Sequence, residues 1–124
     1  MNDFSVFELE HDGVEYTAEF DFAALKLADS LGIMSLTDKT LAFVSTVLFC
    51  ATRKHHPFAT RKKTDEFFDS VVQDPEYGLS AFDDLVEEFT QHFLQFITNN
   101  ENKEKKTKKF TAKTVKIVNS PKQK

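Results

Sequence analysis

Acidic side chains that could act as general acids and bases occur in adjacent pairs along the chain. The pairs are Asp65 with Glu66, Asp83 with Asp84, and Glu87 with Glu88. General acid–base catalysis needs two carboxyl groups in contrasting environments that face one cleft. These pairs fall instead in the first turns or on the polar faces of predicted helices, where a solvated carboxylate is favoured. The pattern therefore predicts solvated surface and no acid–base site.

Four histidines and one cysteine are the other residues that could bind a metal or act as nucleophiles. His55 and His56 are adjacent, which points their rings apart on a helix, and no Cys pair or HExxH motif completes a ligand set. Cys50 lies in an apolar run and is interpreted as a small buried hydrophobe. His11 and His92 have no partner visible in the sequence. We therefore expect no enzyme activity, no metal and no cofactor.

The charges of the chain are divided between a body and a tail. Residues 1–100 hold 18 acids and 7 Lys or Arg, a net charge of −11, whereas residues 101–124 hold 2 acids and 9 Lys, a net charge of +7. A basic tail of this kind is compatible with contact to its own acidic body, with nucleic-acid binding and with simple solvation. The acidic body and the scarcity of aromatic residues in the tail disfavour nucleic acid.

The segment Thr37 to His56 is the most apolar stretch and predicts a central helix. Its apolar residues occupy more than one face, and only small polar residues separate Lys39 from Arg53. We therefore expect this helix to be buried on most of its circumference. The apolar run is shorter than the roughly 18 residues that a membrane span needs. A single cysteine, with no signal peptide in the sequence, favours the cytosol.

The remaining elements follow from periodicity and capping residues. Residues 4–20 alternate apolar and polar around Asp12 and Gly13, which predicts a β-hairpin with Val14, Tyr16, Ala18 and Phe20 on its apolar face and the glutamates on its wet face. Helical spacing with plausible N-caps predicts further helices. They span Phe22 to Leu31 after Asp21, Thr60 to Val72 with Thr60 or Thr64 as the cap, and Ser80 to about Asn99. The fold class is thus mainly α (α+β), with about four helices and an N-terminal hairpin in residues 1–99.

Phenylalanine is unusually frequent, with 14 residues in 124 and no Trp. Several of these rings lie in the last two helices, and we expect that one small core cannot hold them all. They are therefore candidates for an exposed surface that binds an apolar helix or a second copy of the chain. The candidate partner-binding residues are Phe67, Phe68, Phe89, Phe93, Phe96 and Ile97.

Residues 100–124 form a Lys-rich segment with a different character. The sequence ENKEKKTKK contains no apolar residue, so it offers nothing to offset the entropy of ordering the backbone. We predict a flexible basic tail whose candidate binding residues are Lys105, Lys106, Lys108 and Lys109.

The order of segments resembles a known family. The segments are YTAEFDFAALKLADSLGI, TLAFVSTVLFCATRKHHP, RKKTDEFFDSVV, a Tyr-Gly-Leu loop and EEFTQHFLQFI. Together they are similar to the small tail assembly chaperones of long-tailed, siphovirus-like phages that infect Gram-positive bacteria.

The resemblance implies a non-enzymatic factor that binds and solubilises the tape measure protein and helps to recruit tail tube subunits. Such a factor acts in the host cytoplasm, tends to self-associate and is absent from the mature virion. The family has no catalytic residues to carry over. The alternative is a small nucleic-acid-binding regulator that uses the Lys-rich tail.

Overall fold

The computed structural model describes the backbone of residues 4–106 and the side chains of residues 4–97. It contains a two-stranded antiparallel sheet and four α-helices, which confirms the mainly α (α+β) prediction. The chain divides into two compact units, Met1–Thr90 and Gln91–Lys124, and the fourth helix supplies the described part of the second.

The N-terminal hairpin pairs strand β1 (Val6–His11) with strand β2 (Val14–Glu19). The two residues between them, Asp12 and Gly13, have φ values of 52° and 81°, the left-handed conformation of a type I′ turn. Tyr16, Ala18 and the following Phe20 are buried as predicted. Two residues depart from the predicted faces, since Val14 is exposed and Glu19 is half-buried against the end of the second helix.

Helix α1 (Phe22–Ser30) begins after Asp21, whose carboxylate accepts a hydrogen bond from the backbone N–H of Ala24 at 2.8 Å. Gly32, with φ 83°, follows the helix as predicted. Ala24, Leu25 and Ala28 are buried, but Phe22 and Leu31 are exposed although they recur at helical spacing with Leu25 and Ala28. The apolar face of α1 extends beyond the part that is buried, because the helix is short and packs mainly on the second helix.

Helix α2 (Leu41–Thr52) is the central helix, and it is shorter at both ends than predicted. Thr37 does not cap it, because residues 37–40 form a turn in which the Thr40 N–H donates to the Thr37 carbonyl at 3.2 Å. Thr40 is the N-cap and accepts from the Phe43 N–H. Nine of its twelve residues are buried, which confirms the expected burial on most of its circumference. Helix α1, strand β2 and the next helix pack around it.

Helix α3 (Arg61–Val72) starts after Thr60, the first of its two predicted caps, and buries Thr64, Phe67, Phe68 and Val71. A 3-10 turn (Leu79–Phe82) then leads into helix α4 (Asp83–Lys106).

Both predicted ends of the fourth helix are wrong. Ser80 lies inside the 3-10 turn and donates to the Tyr77 carbonyl, so it does not cap α4. The helix runs past Asn99 to Lys106, and its backbone includes Lys105 and Lys106. The rest of the predicted tail, with Lys108 and Lys109, lies outside the described residues.

Candidate partner-binding groove

The phenylalanines proposed as an exposed binding surface are largely buried. Phe67, Phe68, Phe89 and Phe93 belong to the buried apolar set, with Phe89 only 1% exposed, and Phe96 is half-buried like Ile97. The prediction of an exposed phenylalanine surface is therefore wrong for the first four residues.

The first unit has enough apolar surface to enclose its rings, because the hairpin and α2 both contribute aromatic partners. The Phe89 ring lies 5.7 Å from the Phe20 ring and 6.0 Å from the Phe43 ring. On another side, the rings of Tyr16 and Phe67 meet edge to face at 5.1 Å. Edge-to-face and tilted contacts at these distances are favourable for aromatic side chains. The sequence could not reveal them, since the partners lie up to 69 positions apart.

An open groove lies between the start of α2 and the C-terminal half of α3. Its volume is about 340 Å³, and its apolar lining comes from Leu41, Ala42, Phe68 and Val72. Leu41 is the first residue of α2, and it is 57% exposed. A groove of this size accommodates one or two apolar side chains of a partner, the usual scale of an interface anchor. We call this surface the α2–α3 groove.

The rim of the α2–α3 groove carries two carboxylates, Asp65 and Asp69, one helical turn apart on α3. Asp65 accepts from the Nε of Arg61 at 3.1 Å, and the Arg61 guanidinium also donates to the hydroxyl of Thr46 at 3.0 Å. Asp69 is exposed and lines the same edge of the groove. The groove therefore combines an apolar floor with an acidic rim, which suits an apolar side chain flanked by cations.

The basic segment that follows α2 is mostly engaged within the molecule. Lys54 Nζ and His55 Nε2 lie 3.1 Å and 2.8 Å from the two carboxylate oxygens of Glu19, and the hydrogen bonds from His55 and then Lys54 lower the pKa of that carboxyl. His56 accepts the Thr17 N–H at 2.8 Å, so its Nε2 is unprotonated and caps the edge of β2. These contacts reduce the positive charge that the segment could offer to phosphates.

His11 was predicted without a partner, but the structure brings it into a polar cluster. Its Nε2 lies 2.9 Å from the Asp74 carboxylate and its Nδ1 lies 3.0 Å from the hydroxyl of Ser70, in the last turn of α3. The Ser70 hydroxyl lies 2.9 Å from the Phe67 carbonyl and donates to it, so its oxygen accepts from His11. Both ring nitrogens then act as donors, which describes an imidazolium and leaves no lone pair to activate Ser70 as a nucleophile.

The charged state of His11 has a consequence for stability. The hydrogen bond to Asp74, aided by the charges of Asp12 and Glu10, raises the pKa of His11 above its ordinary value of 6.5, and the same hydrogen bond lowers the pKa of Asp74 below 3.8. A raised histidine pKa stabilises the folded chain below about pH 6.5, and this contribution is lost as the pH rises through the folded-state value. Because the pKa of Asp74 is lowered, the stability that its carboxylate contributes is fully present above about pH 3.8 and is lost as the pH falls through the folded-state value.

We expect the difference in unfolding free energy between the wild type and His11→Gln to be larger at pH 6 than at pH 9. Urea denaturation followed by circular dichroism at the two pH values measures it. Asp74→Asn should remove most of this pH dependence, because it removes the carboxylate that raises the His11 pKa. An equal difference at both pH values would show that His11 does not titrate in this range.

The remaining sequence candidates lie apart from the groove. Cys50 is fully buried, and burial raises the pKa of its thiol to about 12, which agrees with its interpretation as a buried hydrophobe. Glu66, Asp83, Asp84 and Glu87 are exposed. Among the residues that the structure describes, no three His, Cys, Asp or Glu side chains are grouped closely enough to hold a metal ion.

The architecture defines a small α+β domain with an open apolar groove. Residues 1–114 match the model of a family described as a domain of unknown function, DUF5055. Since the match covers most of the chain, the chain belongs to the DUF5055 family. No curated protein and no solved structure matches it. Within the described range, no helix is long and apolar enough to cross a membrane.

Proposed function

We propose that this chain is a phage tail assembly chaperone without enzymatic activity, which binds and solubilises the tape measure protein during tail morphogenesis. The proposal combines the resemblance of its segments to that family with one structural observation, the α2–α3 groove. A tape measure protein is long and helical by the same resemblance, so its apolar stripes need cover until the tail is assembled. In this proposal the chaperone acts in the host cytoplasm, contacts tail tube subunits and does not remain in the virion.

The groove supports binding of an amphipathic helix that carries cations beside its apolar stripe. Leu41, Phe68 and Val72 offer apolar surface, and each partner side chain buried there contributes about 1.5 to 3 kcal/mol before ordering costs. Asp65 and Asp69 favour Lys or Arg at the flanks of that side chain and disfavour an acidic partner. One or two such anchors give reversible binding, which a chaperone that leaves the finished particle requires.

Co-expression with fragments of the tape measure protein encoded by the same genome tests this function. The wild-type chain should keep the fragments soluble, and Leu41→Asp should not, because it places a third carboxylate on the apolar floor. Leu41 is exposed at the first position of α2, where an acid is favoured by the helix dipole, so the variant should fold.

Met34→Asp is the matched control, because Met34 is 61% exposed but lies outside the groove. It should solubilise the fragments as well as the wild type. If Leu41→Asp performs equally well, the groove does not bind the tape measure protein. If deletion of residues 107–124 abolishes solubilisation while Leu41→Asp does not, the basic segment 107–124 is the binding element.

A further inference from the structure

Phe58 is the most exposed large apolar side chain among the described residues, with 94% of its surface accessible. It lies in the connection between α2 and α3, in the sequence His56-Pro57-Phe58-Ala59. Single exposed apolar residues are common on proteins and carry no argument by themselves. Phe58 differs from such residues in two ways, because its backbone is held in place and exposed cations lie near it in the sequence.

The backbone on both sides of Phe58 is held by one side chain. The Arg53 guanidinium donates to the carbonyls of Pro57 and Ala59, and it also lies 4.7 Å from the centre of the Phe49 ring. The Ala59 N–H donates to the His56 carbonyl at 3.1 Å, which closes the turn. Phe58 is thus presented on an ordered loop. An aromatic residue held in this way loses little conformational entropy when it enters a pocket.

The charges around Phe58 restrict the pocket that it fits. Of the nearby cations, Lys54 and Arg61 are paired with Glu19 and Asp65 of the same chain, whereas Lys62 and Lys63 are exposed at the start of α3. A complementary receptor therefore has an apolar floor and a carboxylate rim. The α2–α3 groove has both, in Leu41, Phe68 and Val72 and in Asp65 and Asp69.

The Phe58 of the same chain does not reach this groove. Asp69 lies eight residues along α3 from Arg61, a rise of roughly 12 Å, and the Arg53 contacts hold the loop at the opposite end of the helix. The occupant must come from another molecule.

We propose that Phe58 of one copy inserts into the α2–α3 groove of a second copy. The inserted ring buries apolar surface on the groove floor, and Lys62 and Lys63 approach the rim carboxylates of the second copy. Phe58 and the groove are different surfaces of the chain. Two copies can therefore each insert Phe58 into the other's groove, or the contact can repeat head to tail along a chain of copies. If the proposed function is correct, self-association and tape measure binding compete for one groove, and a client helix displaces Phe58.

Sedimentation of the full chain and two variants tests the contact. The wild type should associate as its concentration rises. Phe58→Ser removes the inserted ring and Leu41→Asp disrupts the groove, so each variant should remain monomeric. An equimolar mixture of the two variants should associate again, because one supplies an intact groove and the other an intact Phe58. Met34→Asp should associate like the wild type.

The proposal is overturned if the wild type is a strict monomer at millimolar concentration, if Phe58→Ser associates like the wild type, or if the mixture of variants stays monomeric. Unchanged circular dichroism melting curves establish that both variants are folded, and Phe58→Ala repeats the test with a second side chain.

Solubilisation assays on the same variants distinguish a failure of the Phe58 contact from a failure of the proposed function. Phe58→Ser retains the groove and should still solubilise tape measure fragments. Loss of self-association with retained client binding supports the inserted Phe58. Self-association through Phe58 without any client binding would overturn the chaperone function alone.

Discussion

Phe89→Ala should destabilise the folded chain by about 3 to 5 kcal/mol, the range found when a buried phenylalanine is truncated in a well-packed core. Phe89 is almost fully enclosed and contacts the rings of Phe20 and Phe43, so its removal leaves a cavity between the hairpin, α2 and α4. Small domains have a total stability of about 5 to 15 kcal/mol, so the loss is a large fraction of it. Urea denaturation of the full chain measures the change.

Phe58→Ala provides the control for this prediction. The same chemical change at a side chain that is almost fully exposed should alter the unfolding free energy by less than about 0.5 kcal/mol. Equal stabilities of Phe89→Ala and the wild type would mean that Phe89 is a surface residue after all, as the Phe-rich sequence first indicated.

If the chain binds the tape measure protein as we propose, reversal of a rim charge by Asp69→Lys should weaken binding of a basic tape measure segment by at least about tenfold, equivalent to about 1.4 kcal/mol. The change replaces an attraction with a repulsion at the edge of the α2–α3 groove, where the partner's cations approach. Because the rim is solvent-exposed, the loss should shrink when the salt concentration is raised from 50 mM to about 1 M. Calorimetric titration at the two salt concentrations measures it.

Glu66→Lys is the matched control for the rim reversal. Glu66 is an exposed acid on the same helix, and it does not line the groove. Both variants change the net charge equally. If they weaken binding to the same extent, the effect comes from the overall charge of the acidic body and not from the groove.

Local signals in the sequence were sufficient for much of the fold. The Asp12-Gly13 turn predicted the hairpin, Asp21 predicted the start of α1, and Thr60 was one of the two candidate caps of α3. The start of α2 was placed three residues early, because Thr37 and Thr40 are equally good caps in composition. The turn at residues 37–40, with Lys39 at φ 67°, decides between them.

The candidate site could not be predicted from periodicity. An apolar stripe shows which side of a helix is buried, but it does not distinguish a ring enclosed by the hairpin from one left for a partner. Phe67, Phe68, Phe89 and Phe93 were assigned to the surface for this reason. Leu41 fell instead on the stripe of the central helix expected to face the core, although it is 57% exposed, and Phe58 was not singled out. Similarly, His11 lies 59 and 63 positions from its partners Ser70 and Asp74, and no local signal links them.

The most direct test of the central claim is a methyl NMR titration of the full chain with a soluble tape measure segment. If the α2–α3 groove binds the segment, the methyl resonances of Leu41 and Val72 should shift and saturate with it, while the Met34 methyl should not move. Shifts confined to methyls outside the groove, with Leu41 and Val72 unchanged at saturation, would contradict the groove as the site that binds the tape measure segment.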